Sequence, residues 1–283
     1  KSFFKQLLVN SWNEVLEKLL KDNAFKKQID DFGFFLSDKP FKEFVKKFDY
    51  TPSQNTATYL SLDFWSQQSS VLLENNMFLL RTGMGKFAIF DQTKFPSSYL
   101  TLKTDNATEL LIDNTDFPEL VDAFRTRQEN AGLEQLNALG VYGKIINNLF
   151  GNSEWKIGPR GAKSSEFPVY AKNKFDEIVH TYDYKGQEEL DYSIWTRDHI
   201  LLIEAKSLEP NAGLDVGWHK LIYPASRFKK YSKYKIKPAY FLKWYNIAHF
   251  FIFPDLKFNQ NGIVINDESA SIPEYTFKIN LEC

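Results

Sequence analysis

The sequence predicts an α/β protein: a mixed central sheet flanked by helices, preceded by a mainly helical N-terminal region that carries a β-hairpin. Three observations predict it. Aliphatic and aromatic runs of strand length crowd the second half, at residues 187–195, 200–206, 236–244 and 247–253. Apolar residues recur at spacings of three and four over residues 1–48 and from 116 to 150, as on one face of a helix. A helical stretch at 216–231 separates the second strand run from the third, so the order is strand, hairpin, helix, strand. With 283 residues, 43% apolar and 16% aromatic, the chain can bury a large core and falls between one and two domains, divided here at 1–115 and 116–283.

The elements follow in order. Phe4, Leu7, Leu8, Trp12, Val15, Leu16, Leu19 and Leu20 form one apolar stripe, and a second helical piece at 41–48 follows the break at Asp38-Lys39-Pro40. After the polar run 51–56, residues 60–75 read as a helix stopped by Asn75-Asn76. Residues 77–81 and 86–90 flank Thr82-Gly83-Met84-Gly85 and predict a hairpin. Helix plus hairpin outlines a winged-helix-like module, whose projecting tip would carry Arg81 and Lys86 toward DNA. The Gly83-x-Gly85 pair is too short for a nucleotide fingerprint. Acid-rich residues 105–116 lead to Asp116, Pro118 and Glu119, a good helix start, and the stripe then runs to Phe150 with glycines at 132, 140 and 143. Residues 155–167 read as a loop holding Arg160 and Lys163, and 169–184 as one strand. His180 has no companion nucleophile or acid and reads as structural. Asn259 to Gly262 predicts a turn.

Several function classes drop out. No apolar run approaches the ~20 residues of a membrane helix, and no signal-peptide pattern opens the chain. The single Cys283 excludes an intrachain disulfide and fits a reducing cytoplasm. One Cys and four His exclude a zinc-type metal centre. Net charge is −1, yet residues 216–254 contain no acid and hold Lys220, Arg227, Lys229, Lys230, Lys233, Lys235, Lys237 and Lys243. Such a one-signed segment attracts phosphate backbones.

The chemistry concentrates at residues 187–206. Alternation puts Leu202, Glu204 and Lys206 on one face of the second strand, with Leu201, Ile203 and Ala205 on the other. The hairpin brings Asp191 close to them. A carboxylate and an ammonium at the end of an apolar strand cost desolvation, and aliphatics would be cheaper without a use for the charges. An acidic residue on one strand and (Asp/Glu)-x-Lys on the next, here Asp191 and Glu204-Ala205-Lys206, resembles the PD-(D/E)xK nuclease superfamily, the fold of most type II restriction endonucleases. Leu190 stands where the family customarily has proline. The resemblance covers about residues 116–257.

That resemblance implies a restriction-endonuclease-like sheet and Mg²⁺-dependent cleavage of double-stranded DNA, with a homodimer cutting both strands. It also implies an acid from the helix before the sheet, for which Glu134 is the candidate. The chemistry fits the residues themselves: phosphodiester hydrolysis needs an activated water and neutralised charge, which Mg²⁺ held by Asp191 and Glu204 can supply. Lys206 would orient or deprotonate the water or stabilise the pentavalent phosphorus. Glu188 or Glu189 would add a water-mediated contact, Glu189 sharing the strand face of Asp191. DNA contacts are expected from Arg81, Lys86, Arg160, Lys163, Lys220, Arg227, Lys229, Lys230 and Lys233. Two other readings remain open: a repair or recombination nuclease that recognises DNA structure, and a non-catalytic DNA-binding protein on a nuclease fold.

Overall fold

The computed structural model describes residues 12–112, 128–151, 153–208, 215–259, 262–267 and 270–281. The predicted N-terminal stripe forms two helices, α1 (Asn13–Lys21) and α2 (Asn23–Phe32), because Asp22 turns extended and its carboxylate accepts the Phe25 N–H at 2.9 Å, starting a new helix. Phe4, Leu7 and Leu8 lie outside the described residues. Strand β1 (Phe34–Leu36) precedes the short helix α3 (Phe41–Phe44), which continues as a 3₁₀ turn, Val45–Phe48.

The helix expected over 60–75 is replaced by α4 (Thr56–Leu60), a 3₁₀ turn (Trp65–Gln67) and α5 (Ser70–Glu74). Side chains explain the breaks. The Gln67 carbonyl oxygen accepts the Asp63 N–H at 2.7 Å, while Gln68 accepts from Leu79 N (2.9 Å) and donates to Leu79 O (3.0 Å). Gln67 thus binds backbone that a continuous helix would have paired internally, while Gln68 ties the segment to β2.

The predicted hairpin is present as β2 (Met77–Gly83) and β3 (Lys86–Asp91), in a three-stranded sheet of order β1-β3-β2. Its tip does not project. Gly83 has φ 94° and lies so close to β-strand backbone that an added Cβ would sit 2.1 Å from the Lys185 carbonyl oxygen, and Phe41 N–H donates to Gly85 O at 2.8 Å. The expected DNA-facing wing with Arg81 and Lys86 at an open tip is therefore corrected. One face of the hairpin, with Leu79, Phe87 and Ile89, closes a core with Trp12, Leu16, Phe41, Phe44, Tyr59 and Leu72. The other face, with Phe78, Leu80, Ala88 and Phe90, packs into a core shared with Phe167, Tyr182, Trp218 and Phe251.

Residues 95–112 are woven into both sides of the fold: β4 (Tyr99–Thr101) and β5 (Thr108–Leu110) supply strands to later partners. The helix start at Asp116 lies outside the described residues. Helices α6 (Glu129–Ala138) and α7 (Val141–Phe150) are separated at Gly140, whose φ is 66°. Residues 155–167, expected as a loop, contain β6 (Lys156–Ile157) and the start of β7 (Gly161–Lys172). The expected single strand over 169–184 is an antiparallel pair, β7 with β8 (Ile178–Leu190). Its turn is made by the Asn173 side chain, which accepts N–H bonds from Phe175 (2.9 Å) and Glu177 (3.0 Å).

Next come β9 (Tyr192–Trp195) and β10 (His199–Lys206), antiparallel as expected. The helix expected over 216–231 shrinks to α8 (His219–Ala225) plus a 3₁₀ turn (Ser226–Phe228), because β11 (Asp215–Gly217) pairs with β4. Strands β12 (Lys235–Trp244), β13 (Ile247–Ile252), β14 (Ile263–Val264) and β15 (Tyr275–Asn280) follow, with Asn259 and Gly262 bridging at the predicted turn. The central sheet has order β5-β15-β13-β12-β10-β9-β6. Strand β12 runs parallel to β10, and α8 lies in the crossover between them. Leu201, Ile203 and Ala205 face a core with Leu133, Tyr142, Ile145 and Phe241, so Glu204 and Lys206 point to the opposite side. No helix among the described residues is long and apolar enough to cross a membrane.

Candidate active site

Asp191 links β8 to β9, and its Oδ2 accepts the Ala205 N–H at 2.8 Å, a bond that holds it against β10. The register Ile203↔Tyr192 sets it beside Glu204. Lys206 Nζ lies 2.7 Å from Glu204 Oε1, and both side chains are nearly enclosed, 12% and 8% exposed. Glu129, the first residue of α6, approaches from above the strand end: its Oε2 is 3.9 Å from Lys206 Nζ, and its Oε1 accepts the Ser207 N–H at 3.4 Å. From the N-terminal region comes Asp63, paired with Lys220 at 2.6 Å. These groups line a cavity of about 640 Å³ together with Arg81, Glu189 and Tyr223.

Burial sets the electrostatics. It pushes the Glu204 carboxyl up to about 7 against the pull of Lys206, and the neighbouring Asp191 adds to the rise. Asp191 and Glu129 are raised too, by burial first, with Lys206 pulling both down; Glu129 and Glu189 add to the rise of Asp191, and Glu204 and Asp63 to that of Glu129. Burial disfavours the Lys206 ammonium, but Glu204, Asp63, Glu129 and Asp191 outweigh it and raise its pKa, so Lys206 stays cationic. His219, at the cavity wall, is pushed down to about 3 by burial and by Lys220 and is a neutral imidazole at pH 7.

The donor set fits Mg²⁺, which is bound through one or two carboxylates and fills its remaining positions with water and substrate phosphate oxygens. Among the described residues no three His, Cys, Asp or Glu side chains form a ready-made metal cage. Asp191 and Glu204 are the pair available, and both are acids whose ionised form burial disfavours and a cation would restore.

The structure gathers Asp191, Glu204 and Lys206 in one cavity, while Glu134 lines a second pocket, of about 550 Å³, that it shares with Asp191 and Glu189. Glu134 points to the surface and is ion-paired with Arg160, so Glu129, five residues earlier, is the α6 acid in the cavity. Tracing the apolar stripe from residue 116 hides that a helix begins at Glu129. Glu189 is exposed at the cavity edge, whereas Glu188 is buried, paired with Arg227 and accepting the Ser165 hydroxyl at 2.6 Å.

Of the expected DNA contacts, Arg227 is corrected: it is 8% exposed, and it also donates to Gly161 O (2.8 Å) and Glu188 O (2.9 Å). Arg81 lines the carboxylate cavity and donates to Ser61 Oγ at 3.3 Å. Lys86 lies opposite Gly83 across the hairpin. Arg160 lies over the Tyr192 ring at 5.7 Å, and Lys220 is held by Asp63. Lys163, Lys230 and Lys233 are exposed and Lys229 half-buried. Asp63 is invisible to sequence reasoning because nothing local marks a residue that packing alone delivers.

The chain belongs to the family described as Domain of unknown function (DUF6997), whose model matches residues 95–266. That span includes Glu129, Asp191, Glu204 and Lys206, and leaves Asp63 and Arg81 outside it. Comparison with curated proteins and with solved structures gives no match.

Proposed function

We propose that this protein is a Mg²⁺-dependent endonuclease that hydrolyses phosphodiester bonds of double-stranded DNA, cutting as a type II restriction endonuclease does. The observation that carries the reading is the convergence of Asp191, Glu204 and Lys206 on one cavity, on a hairpin whose second strand runs parallel to β12 across α8. From α6 to β12, two helices, the antiparallel central strands β6, β9 and β10 with the separate β7–β8 pair inserted between β6 and β9, then α8 and the parallel strand β12 support a restriction-endonuclease-like core.

Asp191 and Glu204 would hold the ion, which supplies charge neutralisation and a water of lowered pKa. Asp191 is oriented for this by the Ala205 N–H. Lys206, kept protonated by the surrounding carboxylates, favours the charge-stabilising role over that of a base, setting an ammonium beside the phosphoryl oxygens. Glu129 keeps that ammonium at the strand end. With one such site among the described residues, cutting both strands calls for two copies on the duplex, so a homodimer is the working form.

Incubation of the purified chain with a long duplex and Mg²⁺, followed by mapping of the ends, tests the proposal. Discrete fragments are expected. Asp191→Asn and Lys206→Ala should each lower cleavage at least about a hundredfold, on the scale of losing an electrostatic stabiliser, while circular dichroism and DNA binding are retained. Cleavage by Lys206→Ala at the wild-type rate would remove the assignment.

A further inference from the structure

Another cavity, of about 910 Å³, is lined by Arg227, the partner of Glu188. Arg227 lines this cleft and Glu188 lines the carboxylate cavity, so one buried ion pair contributes a residue to each. The two also share β9: Asp191 stands just before it and Trp195 ends it, about 13 Å apart at the usual strand rise.

The cleft has a distinct chemistry. Its wall is aromatic: Trp195 meets Tyr231 and Tyr234 edge-on, with centroids 5.5 and 5.1 Å away and interplanar angles of 68°. Rings packed edge-on do not stack on one another, so neither tyrosine is held flat against Trp195. Tyr231 packs against Trp195 yet is 39% exposed, so part of its ring is open to the cleft. The rim is cationic, with Lys156, Lys163, Arg197 and Lys230 against one acid, Glu154. Lys230 Nζ lies 5.0 Å above the Tyr231 ring, and Lys233 Nζ 4.7 Å above that of Tyr234. A partly exposed tyrosine among lysines suits one ligand class well: a flat base carried on a phosphate, as in single-stranded nucleic acid.

We propose that this cleft holds an unstacked nucleotide of a DNA strand, the base against Tyr231 and Tyr234 and the phosphate between Lys163 and Lys230. The identity of the strand as the one cut beside Asp191 rests on the endonuclease reading; the binding itself does not. A nucleotide in this cleft must leave the duplex stack, so the preferred substrate would be unpaired, bulged or extruded next to the scissile bond.

The test is fluorescence anisotropy with labelled dT12 and an abasic strand of equal length, in EDTA so that no cleavage intervenes. Wild type should bind dT12 more tightly than the abasic strand. Tyr231→Ala should weaken dT12 binding about tenfold, as loss of one stacking platform does, Tyr231→Phe should stay within about twofold, and Lys163→Glu with Lys230→Glu should weaken both strands. Thermal melting by circular dichroism checks that each variant is folded. Equal affinity for dT12 and the abasic strand, an unaffected Tyr231→Ala, or no dT12 binding by wild type would each overturn the proposal. Tyr231-dependent binding without any Mg²⁺-dependent cleavage would sink the endonuclease reading and leave the cleft standing.

Discussion

Two buried glutamates, sixteen residues apart, are each paired with a cation, and the pairs are built to opposite ends. Glu188 is 2% exposed and matched one to one: its Oε1 takes both the Arg227 guanidinium and the Ser165 hydroxyl, while the same Arg227 also serves two backbone carbonyls. Glu204 is 8% exposed and undersupplied: one ammonium serves it, Glu129 and Asp191 together, and its carboxyl is pushed up to about 7. A matched pair has no charge left over to bind with and holds β7, β8 and the turn after α8 together. An excess of acid over cation leaves room for a metal ion and a phosphate.

The largest expected effect separates the pairs by stability. Arg227→Met leaves Glu188 buried without its countercharge and should cost about 3–5 kcal/mol, the usual penalty for breaking a buried pair. The double variant Arg227→Met, Glu188→Gln should recover most of that in urea denaturation. Glu204→Gln should instead match or exceed wild-type stability at pH 8, because it removes a charge that burial already disfavours. If Glu204→Gln proves as damaging as Arg227→Met, both pairs are structural and the comparison fails.

The pH dependence sharpens the same contrast. Glu204 carries a carboxyl that rises from 4.5 in the unfolded chain to about 7 in the fold. The folded state therefore binds the proton more tightly, and stability is lost as pH rises through the window between those values, by about 3 kcal/mol at most. In EDTA, wild type should lose stability from pH 5 to 7.5 relative to Glu204→Gln, and Mg²⁺ should restore it at pH 7.5. Parallel melting curves for the two proteins would show that Glu204 is not held up by its surroundings.

How much of this is legible in the sequence follows from which forces are local. The strands β9, β10, β12 and β13 are readable because a buried strand writes itself as an unbroken apolar run, and Glu204 and Lys206 share a face by simple alternation. The turn between β7 and β8 is not, because one side chain, Asn173, makes it within a segment that still alternates. Glu129 reaches Ser207 across 78 residues and Asp63 reaches Lys220 across a longer interval, distances over which spacing carries no signal. Charge counting misleads most where packing uses the charges up. The basic run from 216 to 254 reads as one phosphate-binding face, yet Arg227 serves Glu188, Lys237 is buried against Glu274 at 2.7 Å, and Lys243 donates to Gln135 at 2.7 Å.

The smallest expected effect concerns what that run leaves over. Lys230 and Lys233 are exposed, Lys229 is half-buried, and Lys230 lines the aromatic cleft rather than the carboxylate cavity. Replacing all three by Gln should weaken binding to every DNA sequence alike. It should also flatten the plot of log affinity against log salt by roughly 0.9 for each duplex phosphate no longer neutralised, or roughly 0.7 for a single strand. The buried Lys237 gives the control, since Lys237→Gln should lower stability and leave the salt slope unchanged. Because the cleft is matched to an unpaired strand, the weakening should be larger for dT12 than for a blunt duplex. Equal weakening of both would make these lysines a general phosphate surface, with selection for unpaired nucleotides falling to Tyr231 and Tyr234 alone; an unchanged slope would make them an ordinary solvated face.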